Sequence, residues 1–173
     1  FYQCDADVVG SHSLLNETEL ANIYNDVFEK LGVKAYELRI NSRKILAALA
    51  ELCGGADRMI DITIAIDKLD KIGLEKVKAE LEQRGLNGEQ IGTIEKYLHI
   101  TGSNDEKLQQ ITTLLGHIET GKKGIEELEY VVQHFQPASS KSPLALDFTL
   151  ARGLNYYTGI IFEVRAPADV KIG

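Results

Sequence analysis

One run of nine residues combines an arginine with two adjacent tyrosines, a composition that suits an anionic ligand. The run occupies residues 151–159 and reads ARGLNYYTG. Arg152 carries a permanent positive charge, and its planar guanidinium can bind a carboxylate or a phosphate through two parallel hydrogen bonds. On an extended segment Tyr156 and Tyr157 face opposite ways, and a nearby phenol can add a further hydrogen bond. The alternative is a turn with a surface arginine and two half-buried tyrosines.

The first ten residues, FYQCDADVVG, predict a strand with polar side chains on one face. Their alternation places Gln3, Asp5 and Asp7 together on that face. One amide and two carboxylates that project together suit a ligand rich in N–H donors. The alternative is the solvent-exposed face of an edge strand.

These two segments resemble the catalytic core of histidyl-tRNA synthetase, a class II aminoacyl-tRNA synthetase. Residues 1–10 look like the second strand of that family's motif 2. Residues 150–159 look like its histidine-specific signature, in which Asn155 stands where the family usually has Asp. Residues 38–46, LRINSRKIL, resemble the junction between strand and helix that follows motif 2. The three matches occur in the family's order and span essentially the whole chain.

The resemblance implies direct roles for four residues. Arg152 would be the catalytic cation, bridging the carboxylate of histidine and the α-phosphate of ATP. Asp7 and Tyr157 would line the imidazole site, and Gln3 would help to hold the α-amino group. A site that hydrogen-bonds both imidazole nitrogens rejects analogues that lack them, because its own polar groups would then be left unpaired.

Three neighbours of Arg152 would support the site. Gly153 would allow close backbone approach or an unusual φ. Asn155, in place of Asp, would orient Arg152 or nearby backbone more weakly. Tyr156 would face away and pack. No metal site within the chain is expected.

The resemblance implies that the chain is part of a histidine–tRNA ligase, which activates histidine with ATP and transfers it to the 3′ end of tRNA. The implied substrates are histidine, ATP with Mg²⁺, and tRNA(His). The parent enzyme would be a cytoplasmic homodimer without membrane contact. Motif 1, the first half of motif 2 and motif 3 lie outside these residues, so we expect an internal fragment that is inactive alone and binds no cofactor. The alternatives are a regulatory paralogue that binds a metabolite without charging tRNA, and an interaction module.

The periodicity predicts an α+β fold interrupted by a long helical segment. The resemblance implies that the strands are part of a class II synthetase antiparallel sheet with flanking helices, and that the helical segment is an all-helical insertion domain. Residues 1–53 would form the first part of the catalytic core, 54–137 the insertion, and 138–173 the second part of the core. The predicted elements are strands at 1–10, 33–40 and within 144–164, and helices from 16 to 31, 42 to 52, 57 to 71, 74 to 84, 88 to 98, 104 to 119 and 122 to 135.

The charge of the chain argues against a dedicated nucleic-acid module. The 173 residues carry a net charge of −7, and 26% of them are charged. Residues 56–136 hold ten basic and fifteen acidic side chains. Contact with tRNA through the insertion would therefore need a local cluster of cations. The candidates are Lys68, Lys71 and Lys78, or Lys122 and Lys123; the alternative is a solvated helix surface.

The two cysteines, Cys4 and Cys53, suit neither a disulfide framework nor a metal site. We expect both to be reduced and buried, as is usual for cysteines of cytoplasmic proteins. No signal peptide or long apolar run is visible in the sequence.

Overall fold

The structure, a computed structural model, describes residues 3–33, 35–137, 143–152 and 158–166. Within these ranges it has eight α-helices, three β-strands and one 3₁₀ turn, Ala56–Arg58. In chain order the helices and strands are α1 Leu15–Lys30, β1 Glu37–Ser42, α2 Arg43–Leu52, α3 Met59–Asp67, α4 Leu69–Ile72, α5 Leu74–Gln83, α6 Gly88–Leu98, α7 Asn104–Leu115, α8 Glu119–His134, β2 Leu144–Leu146 and β3 Ile160–Arg165. The predicted α+β class is confirmed.

The three strands form one mixed sheet in the order β2-β1-β3. β1 pairs with β3 in the antiparallel sense, and Arg39 lies opposite Glu163. β1 pairs with β2 in the parallel sense, with Arg39 opposite Ala145. The prediction of an antiparallel sheet was therefore wrong for this second pair. Helices α2 to α8 connect β1 to β2, and a connection of that length lets the second strand return in the same direction.

The prediction of an opening strand was wrong, because residues 3–10 form no strand and are all exposed. Val9, for example, is 92% exposed. A strand needs a neighbour that takes up its backbone hydrogen bonds. None of the three described strands pairs with this segment. Alternation in the sequence indicates which faces a strand would have, but it does not supply that neighbour.

The junction between β1 and α2 confirms one prediction and shifts another. Ser42 caps α2, since its side chain accepts a hydrogen bond from the backbone N–H of Lys44 at 3.2 Å. The strand lies later than the predicted 33–40, at Glu37–Ser42. Leu38 and Ile40 share its buried face and are fully buried, as the alternation predicts.

The helical region follows the predicted pattern wherever a capping residue marks the start of a helix. Asn87 and Ser103 each form a capping box and begin α6 and α7 at the predicted positions. The single helix predicted over 57–71 is instead interrupted at Lys68, between α3 and α4. α8 begins at Glu119, three residues before its predicted start. The preceding residue, Ile118, forms no side-chain cap, so no capping residue in the sequence marks the start of this helix.

A single hydrophobic cluster contains buried residues from the sheet and from the helical region. Cys53 belongs to it, and burial raises the pKa of its thiol to about 11. Cys4 is exposed, so the expectation that both cysteines are buried was wrong for Cys4, which lies on the unpaired opening segment. No helix within the described ranges is long and apolar enough to cross a membrane.

We expect that Gly124→Ala destabilises the fold by about 1–3 kcal/mol, because it overpacks the contact between α2 and α8. An added Cβ would lie 3.0 Å from Lys44 Cβ and 3.1 Å from the backbone nitrogen of Ile45. The matched control is Gly92→Ala in α6, where a Cβ would meet nothing within 4 Å. That change should stabilise by about 0.5–1 kcal/mol through helix propensity. Urea unfolding of both variants measures the difference, and equal effects would contradict this account of the packing.

Candidate functional site

Arg39 lies at the centre of a charged cluster on one face of the sheet. It alternates with the buried Leu38, so its side chain projects from the opposite face. Its Nε donates to Glu37 Oε2 at 2.6 Å, and its Nη1 donates to Asp147 Oδ2 at 2.7 Å. Burial alone would lower the pKa of Arg39, but the hydrogen bonds and charges of these two carboxylates outweigh burial and raise it. Arg39 is thus committed to two partners.

The backbone that leads to Arg152 is fixed by a turn at Asp147. Asp147 Oδ1 accepts hydrogen bonds from Thr149, from its backbone N–H at 2.9 Å and from its hydroxyl at 2.6 Å. Leu150 and Ala151 are buried, whereas the side chain of Arg152 is 67% exposed. A well-anchored backbone therefore holds an arginine whose guanidinium reaches solvent.

Two carboxylates lie near the guanidinium of Arg152. Its Nε is 2.8 Å from Glu163 Oε2 on β3 and 3.8 Å from Asp67 Oδ1 at the end of α3. The contact with Glu163 is an ion pair without hydrogen-bond geometry, since Glu163 Oε2 is a buried atom with no hydrogen-bond donor directed at it. Arg152 makes no hydrogen bond within the described part of the chain.

The cleft beside these groups, here called the arginine cleft, has a volume of only about 40 Å³. Sites for small molecules usually measure about 300–1,000 Å³, so the arginine cleft holds no such ligand in this conformation. Arg152 also borders an open depression of about 510 Å³. The arginine cleft is lined by Arg39, Ile66, Asp67, Leu69, Asp70, Asp147, Thr149, Leu150, Arg152, Glu163 and Arg165. Arg152 therefore lies between a closed network of ion pairs and a space open to a ligand.

A buried amide supports the segment before Arg152 from behind. Asn41 is fully buried, and its Nδ2 donates to the carbonyls of Leu150 at 2.9 Å and Phe148 at 3.3 Å. The same nitrogen lies 3.4 Å from the hydroxyl of Tyr97 on α6. Tyr97 is fully buried, and burial raises the pKa of its phenol. Asn41 thus connects the sheet, the helical region and the Arg152 segment.

The predicted site residues are only partly placed by the structure. Gln3 and Asp7 are exposed, and Gln3 Nε2 donates to Asp5 Oδ1 at 3.2 Å. Within the part of the chain that the structure describes, no hydrogen bond or ion pair joins Gln3 or Asp7 to Arg152. Their shared site stays a prediction. The remaining predicted residues, which lie outside the described ranges, are Gly153, Asn155, Tyr156 and Tyr157.

Sequence reasoning gave no role to Arg39, Asp147 or Glu163. A signal was present, because Glu163 interrupts the apolar run of β3 and Arg39 lies between the buried Leu38 and Ile40. Recognising the pair would have required the register that sets them opposite each other, which the sequence alone does not provide.

Most of the lysines considered for RNA contact are paired with carboxylates. Lys68 Nζ lies 2.7 Å from Glu80 Oε1, and Lys78 Nζ lies 3.2 Å from Glu95 Oε2. Lys122 and Lys123 each pair with a glutamate four residues away on α8. This pattern is typical of a solvated helix surface.

The fold and the site define an α+β protein with an exposed arginine held between a network of ion pairs and an open depression. The family model described as histidyl-tRNA synthetase matches residues 1–171. The chain belongs to this family.

Similar proteins support this assignment along the full length of the chain. It is 53% identical over 173 residues to a histidine–tRNA ligase of Bacteroides fragilis and 54% identical to one of Phocaeicola vulgatus. The chain spans 38% of the length of each of these curated relatives. The crystal structure of histidyl-tRNA synthetase from Nostoc sp. PCC 7120 aligns with a TM-score of 0.82 and 33% identity, over 90% of this chain and 37% of that one.

A more distant structure shares the fold. It is described as an ATP phosphoribosyltransferase regulatory subunit/histidyl-tRNA synthetase from Bacillus halodurans C. It aligns with a TM-score of 0.77 over 92% of this chain and 41% of that one, at 16% identity.

Proposed function

We propose that the chain is part of a histidine–tRNA ligase, an ATP-dependent enzyme of the cytoplasm. In its first step a carboxylate oxygen of histidine attacks the α-phosphorus of ATP, the bond to the β-phosphate oxygen breaks, and pyrophosphate leaves. In the second step a hydroxyl of the terminal ribose of tRNA(His) attacks the histidyl carbonyl, an ester bond forms, the bond to the phosphate breaks, and AMP leaves. The observation that carries this proposal is the identity of about half of the residues to histidine–tRNA ligases across the whole chain.

Arg152 is the residue to which we assign the chemistry of the first step. Two anions approach each other there, so a cation must offset the charge that develops on the α-phosphate. The exposure of the Arg152 guanidinium and its lack of hydrogen bonds to other described residues support this role. Its anchored backbone supports it as well, since a rigid base keeps the cation in position as the ligand changes.

The substrate histidine is assigned to three residues. Asp7 and Tyr157 would accept and donate the hydrogen bonds of the imidazole, and Gln3 would hold the α-amino group. Gly153, Asn155 and Tyr156 would support the site. Gln3 and Asp7 are exposed, so a ligand can reach their side chains.

We further propose how the chain is divided within the enzyme. Residues 1–53 and 138–173 would belong to a class II catalytic core, and residues 54–137 to an all-helical insertion domain. The parent enzyme would be a homodimer. The shared hydrophobic cluster indicates that the helical region and the sheet support each other's stability.

ATP enters this proposal as a substrate that brings its own Mg²⁺. Among the described residues, the guanidinium of Arg152 is assigned to ATP, and no residue is assigned to the metal ion. No three His, Cys, Asp or Glu side chains among them converge as a metal site. The carboxylates next to Arg152 and Arg39 already face these arginines. We therefore assign no ligand of Mg²⁺ within the described part of this chain.

The test is pyrophosphate exchange into ATP by the full-length protein that contains this chain. We expect exchange that depends on histidine, and none with the isolated 173 residues, because these residues span only 38% of the length of the curated relatives. Histidinol, which lacks the carboxylate, is the control substrate and should give no exchange. Histidine binding without exchange by the full-length protein would favour a regulatory paralogue instead.

A further inference from the structure

Glu163 has a position in the sheet that leaves its carboxylate available to a single cation. It lies opposite Arg39 in the register of β1 and β3. Arg39 nevertheless gives its hydrogen bonds to Glu37 and Asp147. The side chain of Glu163 is only 24% exposed, and its Oε2 has no hydrogen-bond donor directed at it. Arg152, at 2.8 Å, is its only described ion-pair partner.

We propose that Glu163 is a positioning residue for the adenylation step, acting through Arg152. Its carboxylate attracts the Nε side of the guanidinium through an ion pair and thereby favours rotamers in which the terminal edge, with its two Nη atoms, faces the substrates. This inference rests on the proposed function, because it names the group that orients the arginine to which the chemistry is assigned.

The geometry of the guanidinium carries this argument. Both carboxylates near Arg152 approach closest at Nε. A guanidinium has a second edge, formed by its terminal nitrogens, which can bind another oxyanion bidentately at the same time. A carboxylate at Nε therefore leaves Arg152 able to bind histidine or phosphate, while it limits the rotamers that the long side chain can adopt. Orientation of this kind lowers the entropy cost of reaching the reactive geometry.

Asp67 offers a weaker version of the same contact. It lies 3.8 Å from Arg152 Nε and is 46% exposed, so solvent screens its charge more strongly. It also stands at the end of a helix, whereas Glu163 stands in the sheet between paired backbone neighbours. Glu163 should accordingly account for most of the positioning.

The test is a double-mutant cycle in the full-length protein, with histidine-dependent pyrophosphate exchange as the readout. Glu163→Gln keeps the shape of the side chain and removes its charge. We expect it to lower kcat about 10-fold or more, with KM for histidine and ATP changed less than about 2-fold. Glu163→Asp should restore part of the rate, since it retains the charge. Asp67→Asn should cost less than Glu163→Gln.

The decisive arm repeats Glu163→Gln in the Arg152→Lys background. If Glu163 acts through Arg152, Glu163→Gln should change kcat less than about 2-fold in the Arg152→Lys variant. Glu129→Gln, at an exposed glutamate of α8, is the matched control for the loss of one charge. Thermal unfolding of every variant reports any general loss of structure.

Three outcomes would overturn the inference, and they can be told apart. A wild-type protein without exchange would refute the proposed function and this inference with it. Normal exchange by wild type and by Glu163→Gln would refute only the positioning role. An equal loss of kcat in both backgrounds, with a matching fall in melting temperature, would make Glu163 a purely structural residue.

Discussion

Arg152→Lys in the full-length protein is expected to lower the rate of histidyl-adenylate formation about 100-fold or more. Lysine keeps the positive charge but replaces the planar fork with a single ammonium. An ammonium lacks two separate donor edges, so it cannot face Glu163 with one edge and bind an oxyanion with the other. The loss should therefore appear in the transition state, where charge builds up on the α-phosphate. Single-turnover formation of the adenylate measures it directly.

A substitution at the assigned histidine site should give the opposite kinetic pattern. Asp7→Ala is expected to raise KM for histidine more than it lowers kcat, because the lost hydrogen bond to imidazole is present in the ground state as well.

The control for Arg152→Lys is Arg58→Lys, which exchanges arginine for lysine away from the arginine cleft. Arg58 donates to the carbonyl of Arg84 at 2.9 Å within the helical region. Near-normal turnover of Arg152→Lys would remove the catalytic role from this arginine and favour a protein that only binds.

Asn41→Ala is expected to destabilise the protein by about 4 kcal/mol, among the larger effects of single substitutions. The change removes the donor that satisfies the carbonyls of Phe148 and Leu150, and it leaves a cavity at a fully buried position. Each buried polar group without a partner costs about 1–3 kcal/mol. Urea unfolding of the chain, followed by circular dichroism, measures the total.

Two matched variants divide this cost. Tyr97→Phe removes only the hydroxyl that lies 3.4 Å from Asn41, so it should destabilise by about 1 kcal/mol. Asn22→Ala removes the oxygen that accepts an exposed hydrogen bond from the backbone N–H of Gln136, just beyond α8, and should cost less than about 1 kcal/mol. If Asn41→Ala were no more damaging than Asn22→Ala, the connection between the sheet and the Arg152 segment would not depend on this amide.

Local signals in the sequence predicted the helices better than the strands. The caps at Ser42, Asn87 and Ser103 are contacts within a few residues, so the sequence alone reveals them. The opening segment has strand-like alternation, but residues 3–10 pair with none of the described strands, and the prediction of a strand was wrong there. The parallel pairing of β1 with β2 depends on the path of the intervening chain. No local pattern encodes that path.

In the candidate site, too, local sequence patterns predicted some residues, whereas others are recognised only from contacts between distant segments. Arg152 was singled out from its residue type and neighbours, and the structure places its guanidinium at the surface of a cleft. Glu163 and Asp147 were not singled out, because their significance lies in the strand register and the turn that bring them to arginines. The grouping of Arg152 with Gln3 and Asp7 stays a prediction.

The long connection between β1 and β2 also bears on how the chain reaches this structure. Arg39 and Asp147, which join across that pairing, are 108 positions apart in the sequence. Closing so long a loop costs more conformational entropy than forming a helix or docking neighbouring helices. The cost rises with the logarithm of the loop length, so it is lower when compact helices shorten the effective loop. The helices can supply that compaction through contacts between neighbours in the sequence. Assembly of the arginine cleft thus depends on the intervening helices having become compact first.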